Sequence, residues 1–277
     1  MYTIEKDKII IKDKKNFNPQ HILECGQIFS YKIINNEYVV YSGKYMASIQ
    51  ETECGYIINT SQPTYFAHFF DLNTNYGLIK QELAKTNEFL NDAISFGYGI
   101  RILNQDIFET IISFIVSANN NIKRIQKILF AIREKFGTNM GGFYAFPTPK
   151  QLANATEQEF LQMGAGYRAK YIVNTVKMLL ISDYINWKSL PTNKLAKTLT
   201  GLSGVGPKVA DCIMLFCYEK KDVFPVDTWI HKIYNAYFKT EQNRKKIREN
   251  LISEFKELSG YAQQYLFYVA RSKDLKI

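Results

Sequence analysis

This 277-residue chain lacks the residue clusters from which metal centres and disulfide frameworks are built. It contains four cysteines, with no Cys-x-x-Cys pair and no close-set quartet, and three histidines that form neither an HExxH nor an HxxxH pair. The cysteines are Cys25, Cys54, Cys212 and Cys217, and the histidines are His21, His68 and His231. The pattern argues against a zinc site, an iron–sulfur cluster, a disulfide scaffold and metal-dependent catalysis.

Long apolar runs and nucleotide-binding loops are also missing. No run approaches the roughly 18 apolar residues of a membrane span, and no G-x-x-x-x-G-K-[ST] loop supports an ATP-driven enzyme. The first residues, MYTIEKDKIIIKDKK, lack the apolar core and cleavage site of a signal peptide. We therefore expect no membrane partner and an intracellular protein, which in a bacterium would be cytoplasmic and associated with the nucleoid.

Negative charge is in short supply relative to positive charge. The chain has 35 Lys and Arg residues but only 26 Asp and Glu residues, which gives a net charge of +9. This surplus favours an anionic partner, with nucleic acid first among the candidates. The 46% hydrophobic content is sufficient for a substantial core and, at this length, for two domains.

The hydrophobic pattern changes character along the chain. Up to about residue 60, short β-prone runs such as QIFSYKII and EYVVYSG alternate with NN, SG and CG turns, which predicts an antiparallel meander. From about residue 65 the period becomes helical. We therefore predict an α+β protein, with a β-rich N-terminal domain over residues 1–98 and an all-α region over residues 99–277.

Several helix ends can be predicted individually. The apolar stripe from Ile122 to Phe136 predicts a helix that ends at Gly137. Capping boxes are predicted at two helix starts. Three further helices are predicted toward the C-terminus, and Gly260 is predicted to end the second of these three. The capping pairs are Asp106 with Glu109 and Thr156 with Glu159, and the further helices are 167–181, 247–258 and 261–270.

The segment GLSGVGPKVADC, residues 201–212, places three glycines and Pro207 before an apolar helical run. Glycines permit tight turns and close backbone approach, and proline suits a first helical position. The segment predicts a hairpin that leads into a helix start, with Gly204, Val205 and Gly206 presenting free N–H groups to a phosphate. Lys208 in the first helical turn does not fit this picture, because the positive end of the helix dipole disfavours another positive charge.

Asp227 follows Lys208 by 19 residues, in FPVDTWIHK, at a predicted helix N-cap. Each residue has an ordinary interpretation, Lys208 as a solvated lysine and Asp227 as a simple cap. Together they suggest chemistry: a lysine with a lowered pKa is a nucleophile, and a carboxylate stabilises positive charge on a sugar carbon. We expect the helix start to lower the pKa of Lys208.

The motifs, taken together, resemble a known family. LSGVGPKVA resembles the helix-hairpin-helix motif, and PVD at this distance completes the pattern of helix-hairpin-helix DNA glycosylases. Within that superfamily, four stretches in family order resemble the 8-oxoguanine DNA glycosylases, over nearly the whole chain. They are CGQIF (25–29), GIRILNQDIFETIISFIVSANNNIKRI (99–125), GAGYRAKYI (164–172) and LSGVGPKVADC.

The resemblance implies an activity and its partners. The protein would excise 8-oxoguanine from double-stranded DNA, with cytosine as the preferred opposite base, and cleave the abasic strand by β-elimination. It would act as a monomer and need no cofactor, with a structural monovalent or divalent cation as an optional component of the hairpin.

The resemblance also implies residue roles. Lys208 would attack C1′ and form a Schiff base, Asp227 would stabilise the reacting sugar, and the Gly26 carbonyl would accept the N7–H that distinguishes 8-oxoguanine from guanine. The base-binding set would be Gly26, Gln263, Phe267 and Cys212. The set for the orphaned cytosine would be Asn119, Arg124 and Arg168, with Tyr167 as the wedge in the duplex.

Two positions depart from the family pattern, and alternatives stay open. Trp229 stands where relatives commonly carry histidine, and Ser30-Tyr31 stands where eukaryotic members have Arg-Trp. One alternative is an alkylated-base glycosylase of the same superfamily, although these usually lack the lysine. The other is a non-catalytic helix-hairpin-helix protein, which would bind DNA without cleaving it. Locally, the NNN stretch could simply cap helices, and Phe267 and Cys212 could be core residues.

Overall fold

The computed structural model describes residues 2–272, which form six β-strands and thirteen α-helices. The strands are β1 Tyr2–Ile4, β2 Lys8–Ile11, β3 Tyr31–Ile34, β4 Glu37–Ser42, β5 Tyr45–Thr52 and β6 Gly55–Asn59. The helices are α1 Pro19–Leu23, α2 Pro63–Phe69, α3 Tyr76–Ala84, α4 Glu88–Phe96, α5 Ile107–Ser117, α6 Ile122–Phe136, α7 Glu157–Gln162, α8 Arg168–Leu180, α9 Thr192–Thr200, α10 Pro207–Cys217, α11 Thr228–Tyr237, α12 Arg244–Phe255 and α13 Ser259–Ser272. The predicted α+β class is confirmed.

The sheet has the strand order β1-β2-β6-β5-β4-β3, and every pairing is antiparallel. Strands β3 to β6 form the predicted meander. Asn35 and Asn36, with φ of 51° and 64°, make the two-residue turn between β3 and β4, as the NN signal predicts. The meander prediction is wrong for β1 and β2, because their hairpin joins the far edge at β6 after the chain has crossed through α1.

Two hydrophobic cores hold the fold together. The first lies between the sheet and helices α1 and α2, around Ile9, Val40 and Phe66. The second lies among the later helices, and it includes Leu83 of α3 and Leu90 of α4. The boundary between residues 98 and 99 stays a prediction, although α3 and α4 precede it in sequence and pack in the second core.

Helix ends mostly follow the sequence. Helix α6 ends at Gly137, and Thr156 with Glu159 forms a complete capping box at α7. At α5 only half of the predicted box exists: the Asp106 carboxylate accepts from the Glu109 N–H. The Glu109 side chain instead accepts from the Ser30 hydroxyl, the Gly43 N–H and the Arg133 guanidinium, and so ties α5 to the sheet.

The prediction that Gly260 ends a helix is wrong. Gly260 is the second residue of α13. A Cβ at this position would lie 2.3 Å from Leu215 Cδ1, so glycine allows α13 to pack closely on α10. Its N–H donates to the Lys221 carbonyl. Among residues 2–272, no helix is long and apolar enough to cross a membrane.

Candidate active site

The glycine-rich segment forms the predicted hairpin between α9 and α10. Gly204 adopts φ +81°, and a Cβ there would lie 2.8 Å from the Tyr171 ring of α8, so only glycine fits this turn. Pro207 is the first residue of α10, and Gly206 precedes it without a side-chain cap. The N–H groups at this helix start are therefore available to an anion.

Lys208 projects from the first turn of α10 into a partly buried position. Its Nζ lies 5.8 Å from the centroid of the Phe114 ring, on α5. Cys212, one helical turn later and buried, lies near enough to the Lys208 side chain to favour its ammonium form and so raise its pKa. The two residues thus share one face of α10, as the sequence spacing suggested.

The pKa of Lys208 lies above its ordinary value, so the expectation of a lowered pKa is wrong for the free protein. Burial favours the neutral amine and lowers the pKa, but the Cys212 thiol group and the Asp227 and Asp211 carboxylates outweigh it by favouring the ammonium. The free protein therefore carries a protonated Lys208 at neutral pH.

Asp227 is the N-cap of α11: its Oδ1 accepts from the Ile230 N–H at 2.9 Å. The capping bond uses one carboxylate oxygen, and no donor among residues 2–272 forms a hydrogen bond with the other. Asp227 also lines the same cavity as Lys208. The cap role and a chemical role are therefore compatible.

The cavity that Lys208 and Asp227 share has a volume of about 740 Å³. Its walls come from the loop before β3, the C-terminal end of α5 with the following asparagines, and the starts of α6, α10, α11 and α12, together with α13. The lining residues are Gly26, Phe29, Phe114, Ser117, Ala118, Asn119, Asn120, Asn121, Ile122, Ile125, Lys208, Val209, Asp227, Thr228, Trp229, Arg244, Phe267 and Arg271.

Hydrogen bonds from other parts of the protein to the backbone carbonyls on both sides of Gly26 hold its loop in place. The Glu24, Cys25 and Gln27 carbonyls accept, respectively, from Arg271, Gln264 and Gln105. The Gly26 carbonyl receives no hydrogen bond from residues 2–272. Gly26, which lines the cavity, therefore keeps an unpaired acceptor.

The four predicted base-binding residues do not all reach the cavity surface. Gly26 and Phe267 line it, and they contact each other, since a Cβ on Gly26 would lie 2.9 Å from Phe267 Cε1. Gln263 and Cys212, each 4% exposed, are not among the lining residues. Cys212 lies near Lys208 and influences the site through that residue. The Gln263 side chain has a buried Oε1 without a hydrogen-bond partner among the described residues.

The predicted cytosine-binding residues surround the loop between α5 and α6. Asn119 is exposed in a left-handed conformation with φ 50°, and Arg124 is exposed with one bond to the Gly164 carbonyl. Tyr167 projects into solvent, 54% exposed, with its ring 5.8 Å from that of Tyr171. This exposure suits a wedge.

Arg168 differs from its three partners, because its guanidinium is buried and already occupied. It donates to the Ala118 carbonyl at 2.8 Å and to the Asn119 carbonyl at 2.6 Å, and also to the Ala165 carbonyl. In this state Arg168 fixes the backbone of Asn119, and four of its five guanidinium N–H groups are already occupied. The role of Arg168 at the orphaned cytosine stays a prediction.

Two cavity residues and one ion pair were not identified by the sequence analysis. Arg244 and Arg271 line the cavity, yet neither belongs to a motif. Behind Lys208, buried Asp211 pairs with Arg248 of α12 through two bonds of 2.5 and 2.8 Å. A buried aspartate in an apolar helix face was the only available signal for the pair.

The departure at Ser30 falls between the domains and not at the cavity. Ser30 is 3% exposed, and its hydroxyl donates to Glu109. The departure at Trp229 does fall on the cavity wall, where Lys232 Nζ lies 5.5 Å from its ring.

Replacing Asp211 with asparagine should move the acidic limb of the pH–rate profile to lower pH. Asp211 raises the pKa of Lys208, and its removal also leaves the Arg248 charge uncompensated. Both changes favour the neutral amine, which is the nucleophilic form. The profile of single-turnover excision measures the shift, at a temperature where unfolding curves show both proteins folded. An unchanged acidic limb would show that Asp211 does not influence Lys208 during the reaction.

Comparison with known proteins gives the family. Residues 9–111 match the model of the 8-oxoguanine DNA glycosylase N-terminal domain, and residues 112–257 match that of the HhH-GPD superfamily base excision DNA repair proteins. The crystal structure of a Clostridium acetobutylicum 8-oxoguanine glycosylase/lyase, in complex with double-stranded DNA containing cytosine opposite 8-oxoguanine, is 38% identical. It superimposes with a TM-score of 0.93 over 99% of both chains. The chain belongs to the 8-oxoguanine DNA glycosylase family of the HhH-GPD superfamily.

Curated relatives in this 8-oxoguanine glycosylase family extend to eukaryotes. The Arabidopsis thaliana N-glycosylase/DNA lyase OGG1 is 34% identical over 188 residues, which is 61% of this chain and 51% of that protein. The Saccharomyces cerevisiae N-glycosylase/DNA lyase is 36% identical over 54% of this chain and 45% of that protein. The matches span about half of the length of these two relatives.

Proposed function

We propose that this member of the family is a bifunctional DNA glycosylase and abasic-site lyase that excises 8-oxoguanine from double-stranded DNA. The observation that carries the proposal is one cavity that brings together Lys208, Asp227 and the unpaired carbonyl of Gly26. A nucleophile, a carboxylate and a base-selective acceptor are the three groups that such a reaction needs.

Lys208 is the nucleophile in this proposal. Its neutral amine attacks C1′ of the damaged nucleotide as the bond from C1′ to the base breaks, and the base leaves with the electron pair and takes up a proton. Ring opening of the sugar gives a Schiff base between Lys208 and C1′. Loss of a C2′ proton then expels the 3′ phosphate by β-elimination and cuts the strand.

Asp227 acts on charge that develops during bond breaking. Its carboxylate stabilises the positive charge that spreads over C1′ and the sugar ring oxygen, and the cap bond from Ile230 holds the carboxylate in place. The same carboxylate favours the ammonium form of Lys208 in the free protein. Entry of the sugar between the two groups weakens that pairing.

Base selection depends on the Gly26 carbonyl. In 8-oxoguanine N7 carries a proton, whereas in guanine N7 is an acceptor that would face this carbonyl without a hydrogen bond. An unpaired buried acceptor costs about 1–3 kcal/mol. Phe267 supplies an apolar face for the extruded base, and Tyr167 fills the space that the base leaves in the duplex.

The remaining parts of the proposal concern the DNA backbone and the setting. The hairpin residues Gly204, Val205 and Gly206 would hold a phosphate at the start of α10. Their backbone carbonyl oxygens are ligands of the kind that a structural monovalent or divalent cation prefers. We propose a monomer that acts on the cytoplasmic nucleoid without a required cofactor.

The function is tested by single-turnover excision from duplexes that carry 8-oxoguanine opposite cytosine or adenine. We expect free 8-oxoguanine, strand cleavage, and excision about 10- to 100-fold faster opposite cytosine, the scale of one charge-assisted hydrogen bond. Arginine donors suit the O2 and N3 acceptors of cytosine and do not suit the amino group of adenine. A duplex with guanine at the same position is the control.

Variants at the two arginines sharpen this test. Arg124→Ala should lose much of the preference for cytosine, because Arg124 is exposed and has a single bond to release. Arg168→Ala should slow excision opposite both bases, because it also frees the Asn119 backbone. Equal wild-type rates opposite cytosine and adenine would refute the opposite-base assignment, and the absence of any excision would refute the function.

A further inference from the structure

Arg271, on the last turns of α13, is a cation with an unfilled hydrogen-bonding position at the cavity wall. Its Nη2 donates to the Glu24 carbonyl at 2.8 Å. Its Nη1 is buried and finds no acceptor among residues 2–272, and no carboxylate in that range forms an ion pair with the guanidinium. A buried charged donor without a partner is costly, so an acceptor supplied by a ligand would relieve that cost.

The unfilled donor lies beside the acceptor that is proposed to read N7–H. A Cβ built on Gly26 would lie 3.0 Å from Arg271 Nη1 and 2.9 Å from Phe267 Cε1. The guanidinium and the phenyl ring thus occupy the space where a side chain at residue 26 would stand. One wall of the cavity therefore combines an unpaired carbonyl, an unpaired cationic donor that is buried in the free protein, and an aromatic ring, all within one side chain's reach.

The edge of 8-oxoguanine around N7 has a matching pattern. Its N7–H donor is followed at C8 by the O8 carbonyl, an acceptor that guanine lacks. A base whose N7–H meets the Gly26 carbonyl would bring an acceptor to the neighbouring donor. We propose, on the basis of the proposed glycosylase function, that Arg271 is a specificity-determining residue whose Nη1 donates to O8 of the extruded base.

This arrangement makes recognition two-sided. The Gly26 carbonyl accepts from N7–H, and the Arg271 guanidinium donates to O8, so guanine fails at both positions. The donor is charged, and charge-assisted bonds are the stronger kind. The bond from Nη2 to Glu24 fixes the guanidinium and the loop together, so the two halves of the recognition site keep their spacing.

The equilibrium binding of DNA by a catalytically inactive variant provides the test. In a Lys208→Gln background, dissociation constants are measured for duplexes that carry 8-oxoguanine or a tetrahydrofuran abasic site opposite cytosine. Adding Arg271→Met, which keeps an apolar stem, should weaken binding of the 8-oxoguanine duplex by about 10- to 100-fold. Binding of the abasic duplex should change little, because that duplex has no base to contact.

Arg244→Met is the matched control, since Arg244 also lines the cavity but is exposed and lies at the start of α12. It should weaken both duplexes alike, as the loss of a phosphate contact would. Equal weakening of both duplexes by Arg271→Met would make Arg271 a phosphate contact and overturn the proposal. Unchanged binding of both would overturn it as well.

A third duplex separates contact with O8 from a merely structural effect on the Gly26 loop. In 8-thioguanine, which keeps N7–H, sulfur replaces O8 and is a much weaker hydrogen-bond acceptor. Arg271→Met should therefore weaken binding of this duplex much less than that of the 8-oxoguanine duplex, whereas a disordered loop or a contact with O6 would weaken both equally. Failure of the glycosylase function is recognised separately, because wild-type protein would then release no 8-oxoguanine and form no borohydride-trapped adduct with the 8-oxoguanine duplex.

Discussion

Lys208→Gln should abolish the covalent adduct that borohydride traps between this protein and a duplex carrying 8-oxoguanine opposite cytosine. A Schiff base is reducible and needs a primary amine at the reacting carbon, and the glutamine amide supplies none. Excision should fall together with the adduct, by at least two to three orders of magnitude, the scale on which single groups contribute to such reactions. Glutamine is one atom shorter than lysine but keeps a flexible, polar side chain, so the fold should persist.

Lys245→Gln is the control for the change in charge, because Lys245 is exposed on α12 and does not line the cavity. It should form the adduct at nearly the wild-type level. Gel analysis after reduction measures both variants. An undiminished adduct with Lys208→Gln would show that another amine is the nucleophile.

Asp227→Asn should lower the rate of base excision by about 100-fold or more, the expected loss for one electrostatic stabiliser. Asparagine is as good an N-cap as aspartate, so it can retain the bond to the Ile230 N–H and with it the start of α11. Affinity for damaged DNA should stay largely intact. Single-turnover rates and binding measured on the same preparations separate the two quantities.

Asp227→Ala completes the comparison, because it removes both the carboxylate and the cap. It should add a loss of stability of about 1 kcal/mol to the loss of rate. If Asp227→Asn excises as fast as wild type while Asp227→Ala is destabilised, Asp227 is only a cap and the carboxylate has no chemical role.

The features predictable from sequence are those that local rules govern. The NN turn, the end of α6 at Gly137, the capping box at Thr156 and the hairpin before Lys208 each depend on a few neighbouring residues. The pairing of β2 with β6 depends on residues far apart in the chain. Nothing in either strand's own pattern specifies that partner.

The candidate site divides along the same line. Lys208 and Asp227 were found because a motif and a cap mark them, and the cavity does bring them together. The direction of the Lys208 pKa was mispredicted because the prediction used the helix dipole alone, whereas Cys212 on the same helix and Asp227, through a tertiary contact, both favour the ammonium. Arg271 could not be recognised, since only the folded chain places it against Gly26.

The contact between Gly204 and Tyr171 has a mechanical consequence. The Tyr171 ring lies against the hairpin on one side and against the ring of Tyr167 on the other. The proposed wedge residue and the helix that carries the proposed nucleophile are therefore connected through a single aromatic ring. In the proposed function, this ring would set the spacing along the DNA between the point of insertion into the duplex and the point of attack on the sugar.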